Sequence, residues 1–90
     1  MKILYFKNNT CKVCGGMEPR VKEIAEIFNV SFQVINTEEN PEMAGQFFIF
    51  SVPSVVIVDQ DGRELTRFAR NFSLLDIKAY IDRYTYYMNR

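Results

Sequence analysis

The 90-residue sequence contains no histidine and no tryptophan, and it has only two cysteines. A structural zinc site takes four nitrogen or sulfur ligands, so one copy of this chain does not offer a complete set. A dimer that shares four cysteines around zinc or an iron-sulfur cluster stays open as an alternative. For the single chain we expect no metal and no cofactor.

An excess of one charge and long apolar runs are also missing. The chain has 11 basic and 11 acidic residues and no block of like charge, so nucleic acid and anionic membranes are poor candidates for partners. No apolar run approaches the roughly 20 residues that cross a bilayer. Met1 leads almost directly into an apolar strand pattern, without the segments of a signal peptide. We therefore expect a cytoplasmic protein.

The two cysteines, Cys11 and Cys14, lie between a strand pattern and a helix pattern. Residues 3–6 form a short apolar run, and the apolar residues that follow the cysteines recur at helical spacing. A Cys-x-x-Cys pair near a strand-helix-strand pattern is typical of thiol-disulfide exchange. A structural staple is disfavoured because the pair closes only a tiny loop.

The start of a helix suits this chemistry because its free N–H groups and dipole stabilise a thiolate. Thr10 is the predicted N-cap, which puts Cys11 at the first helical position and Cys14 one turn in, on the same face. We expect Cys11 to be the exposed nucleophile and Cys14 the resolving thiol. Lys12 adds a nearby positive charge, with a solvated surface lysine as the alternative.

The rest of the chain predicts alternating strands and helices in one domain, residues 1–90. The predicted elements are strand 3–6, helix 11–28 with a kink near residues 15–16 caused by Pro19, strand 32–35, a helix from Pro41 to residue 47 or 48 capped by Asn40, central strand 55–58, hairpin turn 59–62, edge strand 64–69, and a last helix opened by a Ser73 and Asp76 capping box. The fold class is α/β, with the order βαβαββα and a four-stranded mixed sheet covered by helices on both faces.

Several of these motifs occur together in one known family. They are Cys11-x-x-Cys14, a proline five residues later at Pro19, the stretch 36–42 with its Asn-Pro, the segment 47–54 that ends in Val-Pro-Ser, and the Asp-Gly turn at 61–62. In these motifs the chain resembles the thioredoxins in a short form. The resemblance covers nearly all of the sequence, but the chain lacks the extra N-terminal strand and helix of a full thioredoxin.

The resemblance implies a disulfide reductase or oxidoreductase, acting as a monomer on protein disulfides and served by an upstream reductase. It implies a cis peptide bond before Pro53, with the backbone around Val52 and Pro53 pairing with the substrate's extended chain. The residues around the first cysteine, Thr10, Lys12 and Val13, are further expected substrate contacts. Arg70 stands where the family has a glycine in the wall of the substrate groove.

Two departures from the family bear on the mechanism. Thr10, Lys12 and Val13 replace the family's Trp and Gly-Pro around the cysteines, so its redox potential does not carry over. Tyr5 stands in place of a buried acid that helps to deprotonate the resolving thiol. A glutaredoxin-like reductase is a further alternative, although residues 70–76 lack the glycines that bind glutathione's carboxylate. A non-catalytic interaction module is the remaining one.

Overall fold

The computed structural model describes residues 1–69 and 71–88. The strands and helices are β1 (Lys2–Lys7), α1 (Lys12–Ile27), β2 (Ser31–Asn36), α2 (Pro41–Gln46), β3 (Ser54–Val58), β4 (Glu64–Ala69) and α3 (Leu74–Met88). The predicted order βαβαββα is therefore confirmed. α1 starts at Lys12, one residue later than predicted, and runs on through Pro19. The kink near residues 15–16 stays a prediction.

The four strands form one mixed sheet in the order β2-β1-β3-β4. β1 is parallel to β2 and antiparallel to β3, and β3 is antiparallel to β4. β3 shares the interior of the sheet with β1, and all five of its residues are buried. Phe6 pairs with Ser54, so the loop that leaves β1 and the loop that enters β3 lie at the same end of the sheet.

The side chains of β1 alternate between two apolar layers, as expected for a strand inside a sheet. Ile3 and Tyr5 belong to the layer formed with α1 and α3, whereas Leu4 and Phe6 belong to the layer beside α2. The first layer also holds Cys14, Val21, Ile24, Ala25, Val55, Ile57, Ile77 and Ile81. Helices thus cover both faces of the sheet, which confirms the predicted architecture.

The predicted starts of α2 and α3 and the predicted hairpin turn are also present. The side chain of Asn40 accepts a hydrogen bond from the Met43 N–H and caps α2. Ser73 and Asp76 exchange two side chain-to-backbone hydrogen bonds of 2.9 and 3.2 Å at the start of α3. Gly62 adopts a φ of 83° in the hairpin turn, a region that favours glycine. No helix in the described part of the chain is long and apolar enough to cross a membrane.

Candidate active site

Cys11, and not Thr10, is the N-cap of α1. Its φ of −80° and ψ of 102° are extended, and its Sγ accepts a hydrogen bond of 3.2 Å from the Cys14 N–H. The prediction of Thr10 as the N-cap is wrong because Thr10 lies in the turn that Asn8 stabilises just before the helix. The side chain of Asn8 accepts hydrogen bonds from both the N–H and the hydroxyl of Thr10. The sulfur of Cys11 takes the capping position instead.

Cys11 and Cys14 are joined by a disulfide, with their Cα atoms 5.3 Å apart. The two sulfur-bearing residues differ in their access to solvent. Cys14 is 1% exposed and belongs to the apolar layer between the sheet and α1 and α3, whereas Cys11 is partly exposed at its edge. A large partner can therefore reach Cys11 more easily than Cys14.

The start of α1 favours negative charge on the Cys11 sulfur. All of α1 is described, and its first turn contains no acidic residue that would oppose the positive end of the helix dipole. The Cys14 N–H already points to the sulfur, and a thiolate accepts a stronger hydrogen bond than a neutral sulfur does. Lys12, the first residue of α1, is exposed beside it. These groups suit a nucleophilic thiolate at Cys11 once the disulfide is reduced.

A groove of about 490 Å³ runs past Cys11. Its lining residues are Asn8, Thr10, Cys11, Lys12, Val13, Met17, Val52, Pro53 and Asn71. Five of the six predicted substrate contacts thus lie together around the first cysteine. The sixth, Arg70, lies outside the described residues.

Three further lining residues are not among the substrate contacts predicted from the sequence: Asn8, Met17 and Asn71. Met17 is one of the apolar residues that follow the cysteines at helical spacing, a pattern that predicts a core position, and it also packs against the core. Asn71 directly follows the predicted groove wall, so the same comparison could have found it. Asn8 gives no comparable signal in the sequence, because its role depends on the turn that it makes with Thr10.

The peptide bond between Val52 and Pro53 is cis, which confirms the expectation drawn from the resemblance. Ser54 follows directly and pairs with Phe6 at the end of β1. This pairing brings the proline to the loop that carries the first cysteine. Val52 and Pro53 therefore face Cys11 across the groove.

Tyr5 is fully buried, and its hydroxyl donates a hydrogen bond of 2.8 Å to the Cys14 carbonyl. Burial, with a smaller contribution from the Glu18 carboxylate, raises the pKa of Tyr5 to about 12. The phenol is therefore neutral at physiological pH and acts as a hydrogen-bond donor. Glu18 itself forms an ion pair of 3.3 Å with Lys7.

A network of amide side chains ties the loop before Cys11 to the loop after β2. Asn9 donates a hydrogen bond of 2.7 Å to Glu38 and accepts one of 2.8 Å from Asn36. The side-chain oxygen of Asn36 accepts further hydrogen bonds from the N–H groups of Glu38 and Glu39. This network, which the sequence does not predict, restrains the segment leading to Cys11.

Within residues 1–69 and 71–88, no group of three or more histidine, cysteine, aspartate or glutamate side chains could hold a metal ion. The chemistry that the described residues support is that of the two sulfurs.

Comparisons with known proteins agree with this fold and this cysteine pair. A four-stranded mixed sheet with a Cys-x-x-Cys pair at a helix start and a cis-proline opposite it defines the thioredoxin-fold class. The Thioredoxin family model matches residues 1–83. The chain belongs to the thioredoxin family.

Individual relatives show how far the similarity extends. The chain is 34% identical over 68 residues to the thioredoxin-like protein YdfQ of Bacillus subtilis, covering 74% of this chain and 60% of YdfQ. It is 41% identical over 49 residues to a thioredoxin of Pyropia yezoensis, covering 52% and 46%. The chain thus spans about half the length of these curated relatives. The structure of thioredoxin 1 from Thermosipho africanus is 43% identical with a TM-score of 0.94, and all of both chains is covered.

Proposed function

We propose that this protein is a thiol-disulfide oxidoreductase that exchanges disulfides with protein substrates. Cys11 is the nucleophile and Cys14 the resolving thiol. The observation that carries the proposal is the disulfide at the start of α1 with unequal access to its two sulfurs. Cys11 lines an open groove, and its Sγ accepts a hydrogen bond from the Cys14 N–H, whereas Cys14 is 1% exposed.

The reaction starts from the reduced protein. The Cys11 thiolate attacks one sulfur of the substrate disulfide, which breaks and releases the other sulfur as a thiolate that takes a proton from water. The Cys14 thiol then loses its proton and attacks the Cys11 sulfur of the mixed disulfide. The Cys11–Cys14 bond forms, and the second substrate sulfur leaves as a thiolate that takes up a proton in place of the one that Cys14 released. The substrate gains two electrons, and the protein returns to the oxidised form described above.

Substrate binding is proposed for the groove around the first cysteine. The backbone at Val52 and Pro53 offers an edge for an extended chain, while Thr10, Lys12 and Val13 contact its flanks. Arg70 remains a predicted wall residue. Turnover further requires an upstream dithiol reductase, and the proposed setting is the cytoplasm, where thiols are kept reduced. We propose that residues 1–90 act as one domain and as a monomer.

Alkylation and substrate trapping test the assigned roles. In the reduced protein near neutral pH, iodoacetamide should label Cys11 far faster than Cys14, as read by peptide mass spectrometry. Cys14→Ser should accumulate a mixed disulfide with a peptide substrate, and Cys11→Ser should form none. Equal labelling rates, or trapping through Cys14, would contradict the assignment. Stoichiometric zinc or iron in anaerobically purified dimers would favour the metal-bridged alternative.

A further inference from the structure

A second groove continues the groove around Cys11 along α1. It has a volume of about 420 Å³ and reaches Arg20 and Leu74, the first residue of α3. Lys12, Val13 and Met17 line both grooves. A bound chain could therefore pass Cys11 and continue over the first half of α1.

The two adjoining grooves form one combined groove, and the charged residues among its described lining are all positive. Among its described lining residues, Lys12 and Arg20 are the only charged ones, and both are exposed. Neither forms an ion pair within the described chain, whereas Lys7 on the neighbouring strand is paired with Glu18. The net charge of the chain is zero, so the positive charge of the groove is a local feature and does not reflect an overall basic composition.

The spacing of the two cations sets a distance for a partner. Lys12 and Arg20 are eight residues apart on α1, which corresponds to about 12 Å along the helix axis. An extended peptide advances about 3.3 Å per residue, so it covers this distance in roughly four residues. Lys12 directly follows Cys11, so the first contact would lie beside the attacked disulfide.

Apolar side chains lie in the same groove as the two cations. Val13 is 62% exposed, and Met17 and Leu74 complete an apolar floor. Covering this surface with an apolar side chain removes it from water and favours binding. The groove thus offers two cationic contacts and an apolar one.

We propose that the preferred substrates carry an extended acidic segment beside their disulfide, with one carboxylate next to the attacked cysteine, a second about four residues away and an apolar residue between them. This proposal rests on the proposed oxidoreductase function and names its substrate class. Since both cations are solvent-exposed, the preference acts mainly on the rate of association and weakens with salt.

Three peptide disulfides test the preference. They share one cysteine core and one central leucine and differ only at the two flanking positions, which are Glu, Gln or Lys. Stopped-flow fluorescence gives the second-order rate constant for their reduction by the reduced protein at 20 and 300 mM salt. At low salt the Glu peptide should react about fivefold faster than the Gln peptide, and the Lys peptide slower than both. At 300 mM salt these differences should shrink to less than twofold.

Matched variants of the protein locate the effect. Arg20→Gln should slow the reduction of the Glu peptide about two- to threefold and change the rate constant for the Gln peptide by a smaller factor. Lys22→Gln is the control, because Lys22 is exposed on the same helix but lines neither groove. It should leave all three rate constants unchanged.

The outcomes separate this proposal from the function on which it rests. Equal, salt-independent rates for the three peptides would overturn the acidic preference and leave the oxidoreductase in place. An equal slowing of all three peptides by Arg20→Gln would also overturn it, since that result indicates a structural role. Failure to reduce any peptide would overturn both proposals.

Discussion

Replacing Tyr5 with phenylalanine should destabilise the protein at neutral pH and make its stability less sensitive to alkali. The change removes one hydroxyl from a fully buried ring and keeps the ring's apolar contacts. The lost interaction is the hydrogen bond of 2.8 Å to the Cys14 carbonyl. A helical carbonyl also faces the N–H four residues on, so the expected cost is about 1 kcal/mol, in the lower part of the range for a broken hydrogen bond.

The alkaline part follows from the pKa of Tyr5, which burial raises from 10.0 to about 12. A raised pKa means that the folded state holds the proton more tightly than the unfolded chain does. The associated stability is fully present below pH 10 and is lost as the pH rises toward 12. Between pH 9 and pH 11 the parent protein should lose about 1.4 kcal/mol through Tyr5, one pKa unit being worth that amount.

Tyr5→Phe lacks this loss, so the gap between the two proteins should close near pH 11. Urea denaturation of the oxidised proteins at pH 7, 9 and 11, monitored by circular dichroism, measures the difference in their free energies of unfolding. Tyr87→Phe is the control, because Tyr87 is 62% exposed on α3. It should show the same loss between pH 9 and pH 11 as the parent. A stability difference between parent and Tyr5→Phe that stays constant from pH 7 to pH 11 would refute the reasoning.

Two further predictions concern resolution and a strained turn. Resolution by the buried Cys14 should be slow near neutral pH and faster in alkali, because a neutral phenol at Tyr5 stands where the family has a carboxylate that could accept the Cys14 proton. A rate of resolution, measured by rapid quench, that is flat from pH 6 to pH 9 would contradict this. Phe48→Gly should raise the free energy of unfolding by up to about 1 kcal/mol, because Phe48 has a φ of 53° and a side chain that is 68% exposed. Unchanged or lower stability in urea would count against strain at this residue.

The sequence predicted the order of strands and helices well because each carried its own local signal. The alternation of β1, the Asn40 cap with its following proline, and the Ser73 and Asp76 capping box all depend on residues within one turn or one strand. Such patterns can be recognised before any tertiary contact is known. The cis-proline needed the resemblance to a family, since nothing local in Val52-Pro53 distinguishes it from a trans bond.

The features that the sequence did not predict depend on particular contacts in the folded chain and not on a local pattern. Thr10 has a better intrinsic capping side chain than Cys11, but its N–H and hydroxyl both donate to Asn8 in the turn before the helix, and this turn leaves Cys11 at the N-cap. The link between Asn9 and Asn36 joins residues 27 positions apart and gives no periodic signal. The two unpaired cations of the combined groove, Lys12 and Arg20, can likewise be recognised only in the structure, where the side chains around them are known.

The same local arrangement determines both the stability of the active-site helix and the reactivity of its cysteines. Cys14 is held in the apolar layer by contacts with β1 and α3, and its carbonyl is fixed by Tyr5. In the disulfide form its N–H donates a hydrogen bond to the Cys11 sulfur. We propose that Cys14, as the resolving thiol, attacks from this buried position one turn into α1. Burial also disfavours the thiolate form in which Cys14 would attack. Because Tyr5 helps to hold Cys14 in this buried position, we expect resolution to be the step on which Tyr5 has its largest effect.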